Sequence, residues 1–487
     1  MYKFIGFNFD LLNKERIATL RVIGKKIGVK SPTSKNKEVL IEEIIAIQKN
    51  EKEPIIITED ELRKTKINLT DFLVKIEEEL PDEIEMTKDE EDNGDKPYEF
   101  WVKNYPDYSH LKFRDSEELF DVEGIFEQHE SGFGFLRVKN YEISSGDVYI
   151  SNQNIRKYQL KSGDKVKARA KFSKEGNSAA VNYVVEINNA VPGYCFNRLD
   201  FDRLNACYPT EKFNFGLSDD VALRCIDIFA PIGKGQRGLI VAPPKVGKTT
   251  LIKKIAKAIE TYNKDVVLMV LLIDERPEEV TDIKESIESE VISSTFDKKP
   301  EHHIRVAKLA AERAKRLAEF GTNVVILLDS ITRLTRAYNN VTESTGKVLT
   351  GGLDPNALAE AKQFFGSARN TKESGSITIL ATALVDTGSR MDDIIFEEFK
   401  STGNMEIYLS RELSERRIFP AIDIYKSGTR NEEKLLTEEQ LVAVYKIRKI
   451  LNNTKNPTDS LIEMIKKTKD NDDLLLRADS WLKIFKA

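Results

Sequence analysis

Nine residues near the middle of the chain, Ala242-Pro243-Pro244-Lys245-Val246-Gly247-Lys248-Thr249-Thr250, have the types and spacing that hold a polyphosphate. An apolar run, Gly238-Leu239-Ile240-Val241, precedes them, and a helical stretch, Leu251 to Ile259, follows. Backbone N–H groups at a helix N-terminus cradle phosphate oxygens. Gly247 lets the backbone come close, Lys248 reaches the β- and γ-phosphates of ATP, and Thr249 offers a hydroxyl to Mg²⁺. Lys245, Val246 and Thr250 complete the loop. The general pattern opens on glycine where this chain has Ala242, a small side chain that fits. A chance Gly-Lys-Thr is the bland alternative, and the strand–loop–helix context argues against it.

Hydrolysis also needs carboxylates. The run Val324-Val325-Ile326-Leu327-Leu328 delivers Asp329 to the carboxyl end of a buried strand, where open α/β sheets bind ligands. Asp329 is expected to hold Mg²⁺, mostly through water. The run Val266 to Ile273 ends in Asp274-Glu275-Arg276-Pro277. Glu275 is the candidate general base, with a helix-capping charge ahead of Pro277 as its alternative. A ring-forming hydrolase needs an arginine from the neighbouring subunit to neutralise transition-state charge. Arg333, Arg336, Arg416, Arg417 and Arg430 all lie beyond the phosphate loop, and spacing does not choose among them. Phe419 suits stacking on adenine or a place in the core.

A second kind of chemistry appears earlier, in Ser131-Gly132-Phe133-Gly134-Phe135-Leu136-Arg137. On a strand, residues two apart share a face. Phe133, Phe135 and Arg137 therefore point one way, with the glycines and Leu136 opposite. Two aromatics and an arginine make a stacking platform for single-stranded bases. In Asp147-Val148-Tyr149 the ring and the carboxylate share a face. An acceptor beside a stacking ring suits the amino edge of cytosine. Ordinary core aromatics are the alternative. The glycine-rich run Gly346 to Gly352, with Lys347, Val348, Leu349, Thr350 and Gly351, and the loop Val385 to Arg390 could grip phosphates in the channel of a ring. Without a ring they are surface turns.

The elements that position these groups follow from periodicity. Residues 1–50 read as a small helical module, with Ile17, Leu20, Ile23 and Ile27 on one helix and Leu40, Ile41, Ile44, Ile45 and Ile47 on another. Its lysines touch nucleic acid or form a solvated face. Residues 51–113 read as an acidic, disordered linker, or a mimic of nucleic acid. From Ile76 to Asp95 eleven acids face one lysine. Residues 114–190 show short strands (Gly132–Val138, Asp147–Ile150, Lys165–Phe172, Val181–Ile187) that fit a five-stranded OB-type barrel. From 191 to 487, apolar strands alternate with helices, which indicates a parallel sheet covered on both faces.

Composition excludes other classes. The chain has 487 residues, 40% hydrophobic and 32% charged, ample for several domains. No apolar run approaches the ~18 residues of a membrane span, and the first residues lack a signal-peptide pattern. Cys195, Cys207 and Cys225 and the four histidines show no metal spacing, so reduced thiols in a cytoplasmic protein are expected, without zinc. Taken whole, the net charge of −5 disfavours a nucleic-acid partner. Removing the −10 of residues 76–95 leaves +5 on the remainder.

These strings together resemble the bacterial transcription termination factor Rho family, hexameric RNA-dependent ATPases and helicases. The resemblance is dense from about Asp115 to the C-terminus and looser over Met1 to Asn50. Pro231 to Gly238, the phosphate loop, Leu271 to Val280, Leu327 to Tyr338, Gly346 to Gly352, Phe364 to Asn370, Ala381 to Ser389 and Phe419 to Asp423 carry it. It implies a RecA-like P-loop ATPase domain preceded by an OB-fold, cold-shock-like barrel and the helical module. It implies that Gly233, Lys234, Gly235, Gln236, Arg237 and Gly238 bind ATP together with Lys245 to Thr250. Glu275 would activate water, Arg276 bridge to the neighbouring subunit's nucleotide, Phe419 stack on adenine and Arg430 act as the finger in trans. Gly132 to Arg137, Asp147, Val148 and Tyr149 resemble a primary, pyrimidine-preferring RNA site. Lys347 to Gly352 and Arg390 resemble a secondary site in the channel of a homohexamer. RNA polymerase and its elongation factors are the implied partners.

Two departures stand out. Arg390 replaces the family's usual lysine. The stretch Glu175 to Ala180 lacks the aromatic that the family places on a later barrel strand, which bears on cytosine selectivity. A rotary or protein-remodelling ATPase and a non-enzymatic RNA-binding module remain as competing functions.

Overall fold

The computed structural model describes residues 2–7, 9–48, 52, 55, 73–78, 119–172, 178–190, 192–343 and 349–486. Two compact units emerge: residues 1–204 with 312–321, and residues 205–311 with 322–487. The first unit thus runs past the border expected at 190.

In the first unit, helices Phe9–Lys14, Ile17–Ile27 and Lys37–Gln48 bury one cluster that includes Leu12, Leu20, Ile23, Leu40, Ile41 and Ile44. Strand β1 (Tyr2–Phe7) pairs antiparallel with β2 (Leu73–Glu78). β2 corrects the expectation of a wholly unstructured linker. The hydrogen bonds of a distant strand supply what the segment's own apolar content does not. Apart from residues 52, 55 and 73–78, the linker lies outside the described residues.

Strands β3 (Leu119–Gln128), β4 (Gly134–Arg137), β5 (Val148–Ile150), β6 (Lys165–Phe172) and β7 (Ala179–Ile187) close a barrel in the order β3-β4-β5-β7-β6. Alternation turns Phe120, Phe126, Leu136, Val148, Ile150 and Val166 into its core. The OB-type expectation holds, with β3 added to the strands read from the sequence.

In the second unit, β8 (Ala206–Cys207) pairs with β13 (Asn370–Thr371). A seven-stranded sheet runs β11-β10-β12-β14-β9-β15-β16. Its members are β9 (Arg237–Ala242), β10 (Val266–Glu275), β11 (Glu290–Thr295), β12 (Asn323–Asp329), β14 (Ile377–Leu384), β15 (Met405–Leu409) and β16 (Ile422–Thr429). Every neighbouring pair is parallel except β15–β16. The central strands are buried almost end to end, as their continuous apolar runs require. The two edges, β11 and β16, escaped the sequence reading because serines and charges interrupt them. No described helix is long and apolar enough to cross a membrane.

Candidate functional site

The phosphate loop leaves the carboxyl end of β9 and enters helix Lys248–Tyr262. Gly247 caps that helix at φ +91, a conformation that L side chains adopt at a cost, and a Cβ there would project into open space. That open side is the concavity a phosphate needs.

Lys248 sits between two carboxylates. Its Nζ lies 2.5 Å from Asp329 Oδ1 and 3.1 Å from Glu275 Oε1. Burial works to strip its proton, but Asp329 and Glu275 outweigh it and hold the ammonium above the ordinary lysine value. Glu275 is pushed above the usual carboxylate range, by burial first and then by Asp329, against the pull of Lys248 and Arg333. Thr382 Oγ1 donates to Asp329 Oδ1 at 2.7 Å, and Thr249 Oγ1 donates to Glu279 Oε2 at 3.2 Å. Glu279 belongs to the acidic run that follows β10, whereas Thr382 was not read from the sequence, because only the folded sheet brings it beside the loop.

Glu275 is aimed by backbone. β10 and β11 slip register between Ile273 and Glu275, and Asp274 turns to φ +58. Such a bulge re-aims the next side chain. The Phe296 N–H donates to Glu275 O at 3.1 Å and secures the slip. Arg333, from the helix after Asp329, stands 3.5 Å from Glu275 and 3.7 Å from Asp274. Arg333 therefore faces the carboxylates of its own chain.

Strand direction sorts the remaining residues. Arg276 follows β10, Arg390 follows β14, and Phe419 precedes the antiparallel β16. All three stand at the carboxyl end of the parallel strands, with the phosphate loop. Arg276 and Arg390 are exposed, and Phe419 is 52% exposed, which excludes its core alternative.

Arg430 stands at the other end. Thr429 lies beside Met405 and Met405 beside Gly238, the start of β9. The Arg430 N–H donates to Asn404 O at 2.8 Å, and the Asn404 N–H to Arg237 O at 2.9 Å. Residues 233–238 occupy that same end, apart from Lys245 to Thr250 of their own chain. β9 separates the two groups by roughly 20 Å. Lys234 Nζ is spent on Glu211 at 2.5 Å and Asp265 at 2.6 Å. The Gln236 amide donates to Asn404 Oδ1 at 2.7 Å, and Arg237 donates to Thr402 O and Ala368 O. Gly235 lies against Asn370 and Gly233 against Pro209, while Gly238 packs between Leu380 and Met405. A cavity of about 260 Å³ opens here, lined in part by Gln236, Arg237, Asn404 and Arg430.

The loop at Leu349–Leu353 lies beside Arg390 and Met391 through Gly351 and Gly352. Lys347 and Val348 fall outside the described residues, and so does the side chain of Thr350. Asp392, fully buried, accepts from Arg336 at 2.6 and 2.9 Å and from Thr387 Oγ1 at 2.6 Å. That ties the Val385–Arg390 loop to the helix following Asp329.

On the barrel, Phe133, Phe135 and Tyr149 gather with ring centroids 5.6 to 6.1 Å apart. The Arg137 guanidinium lies 5.0 Å from the Phe135 centroid. Arg137 is fixed by Glu127 at 2.5 Å and Asp147 at 2.6 Å. Asp147 also accepts from the N–H and hydroxyl of Ser144, both at 3.0 Å. This corrects its expected role: its carboxylate orients Arg137 rather than standing ready for a base. Leu136 and Val148 are also corrected. Both are fully buried barrel core, and Gly134 closes on the Phe126 ring, so no side chain of these three reaches the aromatic face.

Residues 122–193 match the RNA-binding domain of the Rho termination factor, and residues 222–429 match the nucleotide-binding domain of the ATP synthase alpha/beta family. The chain is 51% identical over 360 residues to the transcription termination factor Rho of Bacillus subtilis, covering 73% of this chain and 84% of that one. Over 365 residues it is 51% identical to that of Borreliella burgdorferi, covering 73% and 71%. Over 369 residues it is 47% identical to that of Escherichia coli K12, covering 74% and 88%. Among solved structures, a prototypical ATPase from the type III secretion system of pathogenic bacteria aligns at TM-score 0.50 and 26% identity, over 57% of this chain and 87% of its own. The ATPase sheet alone fits several functions. The barrel and the extent of identity decide between them: the chain belongs to the transcription termination factor Rho family.

Proposed function

We propose that this chain is the subunit of a homohexameric, ATP-driven RNA translocase that ends transcription by RNA polymerase in the cytoplasm. The observation that carries this reading is the joining, in one chain, of a phosphate loop beside two buried carboxylates and a partly exposed aromatic face on a small barrel. Residues 1–50 act as an accessory module, 51–113 as a tether, the barrel of the first unit as the primary RNA domain and the second unit as the motor.

In the motor, Lys248 leaves its carboxylate partners to meet the β- and γ-phosphates. That frees Glu275 to take a proton from the attacking water. The Thr249 hydroxyl and the Asp329 carboxylate form a hard-oxygen pair suited to Mg²⁺. Among the described residues no three acidic, His or Cys side chains form a metal cage. Bound there, Mg²⁺ neutralises phosphate charge. Phe419 stacks on adenine, and Arg276 senses the neighbouring nucleotide. Arg430 stands at the far end of the sheet and therefore serves the nucleotide of a neighbouring subunit. The Leu349–Gly352 loop and Arg390 grip RNA in the channel. Phe133, Phe135, Arg137 and Tyr149 hold single-stranded RNA on the barrel, with preference for pyrimidines.

The decisive experiment is ATP turnover with and without poly(C). RNA should stimulate hydrolysis, and Lys248→Ala should abolish it. Equal turnover without RNA would sink the proposal.

A further inference from the structure

The aromatic face of the barrel holds one ring more than the sequence pattern offered. His129 opens the turn between β3 and β4 and is exposed. Its imidazole lies almost parallel to Phe133, at 4.7 Å between centroids and 6° between planes. Phe133 is thus the hub of three ring contacts, with His129, Phe135 and Tyr149.

The imidazole is held in place by its turn. The His129 N–H donates to Phe133 O at 2.7 Å, and the Gly132 N–H to His129 O at 2.9 Å. Gly132 sits at φ +93, so the turn depends on glycine. The Ser131 N–H donates to His129 Nδ1 at 3.2 Å. A backbone N–H can only donate, so Nδ1 accepts and the proton of the neutral ring sits on Nε2. One face of the ring is covered by Phe133. That leaves one ring face and one N–H donor unspent by any contact of the turn.

We propose that His129 is an RNA-contacting residue: a base stacks on its outer face, and its Nε2–H donates to an acceptor on the same strand. This rests on the reading of Phe133, Phe135 and Tyr149 as an RNA site. A stacked aromatic accepts any base, whereas a fixed donor favours strands that place an oxygen there. The acceptor class is an RNA oxygen, from a base carbonyl or from the sugar–phosphate backbone. The ring also enlarges a platform that lacks the later-strand aromatic between Glu175 and Ala180.

The test is equilibrium binding of short oligocytidylate and oligoadenylate to the full chain at fixed salt. The proteins compared are the parent, His129→Phe, His129→Ala and Phe133→Ala. His129→Ala loses stack and donor, and its Kd should rise about tenfold. His129→Phe keeps the stack and should lose about threefold. A loss for His129→Phe confined to oligocytidylate assigns a base carbonyl, and an equal loss on both assigns the backbone. ATP binding without RNA and the unfolding midpoint should match the parent in both His129 variants. If His129→Ala binds within twofold of the parent while Phe133→Ala is weakened, the inference about His129 is overturned and the RNA face stands. If Phe133→Ala also binds as the parent does, the RNA reading of the whole face falls with it.

Discussion

The phosphate-loop end of the ATPase sheet and the aromatic face of the barrel solve opposite problems. At the first, charges are buried and paired: Lys248 is wedged between Glu275 and Asp329, which are 2% and 1% exposed. At the second, the rings are partly exposed and the one guanidinium is held from below by Glu127 and Asp147. A buried electrostatic site is close to all-or-none, because removing one partner leaves the others uncompensated. A stacking face is graded, because each ring adds its own increment.

The largest effect should come from breaking the buried triad. Lys248→Ala leaves two buried carboxylates facing each other and should cut turnover at least 10³-fold. Glu275→Gln should lower kcat about 10³-fold with nucleotide affinity kept. Single-turnover hydrolysis and nucleotide titration separate the two. Both variants should bind RNA as the parent does, and a joint loss would erase the contrast between the regions.

Next comes Arg430→Ala, with an expected loss of about 10³-fold in turnover. Mixed with Lys248→Ala, it should recover part of the rate, because each variant keeps the half that the other lacks. A mixture as inactive as its components would return Arg430 to its own chain.

On the barrel, Phe133→Ala should weaken RNA by about tenfold and Phe133→Ala with Phe135→Ala by about a hundredfold, as filter binding would read. An all-or-none loss from either single change would make this face resemble the buried site.

The smallest effect concerns pH. The carboxyl of Glu275 is raised, chiefly by burial and then by Asp329. As a base it must be ionised, so hydrolysis should fall with falling pH on a limb above 4.5, the ordinary value. The sign for stability is opposite. A raised carboxyl adds stability below its unfolded pKa and loses it as pH rises through the folded one. Removing that carboxyl in Glu275→Gln should therefore flatten the dependence of the unfolding midpoint on pH in that window.

What was legible in the sequence was local. The phosphate loop is nine consecutive residues, and Asp329 ends an uninterrupted apolar run, so both could be read directly. Residues 233–238 were tied to ATP by resemblance alone, and no local pattern shows that β9 sets them at the opposite end of the sheet from Lys245 to Thr250. β2 was hidden because its partner, β1, lies far upstream at the start of the chain. The role of Asp147 depends on the antiparallel register of β4 and β5, which sets Arg137 across from it, and on the turn that puts Ser144 beside it. His129 escaped notice because its stacking is made by a turn, which has no two-residue rhythm.

The single antiparallel pair at the sheet's edge, β15 with β16, carries a further consequence. It returns the chain to the start of β9 and leaves Arg430 at the opposite pole from the loop that takes phosphate. A subunit built this way has a head and a tail. Copies joined head to tail repeat one heterologous contact, which closes into a ring or runs on as a filament. Diluted below the concentration at which copies meet, each would still hold ATP yet turn it over slowly. Specific activity should therefore climb with protein concentration and level off once every tail has found a head.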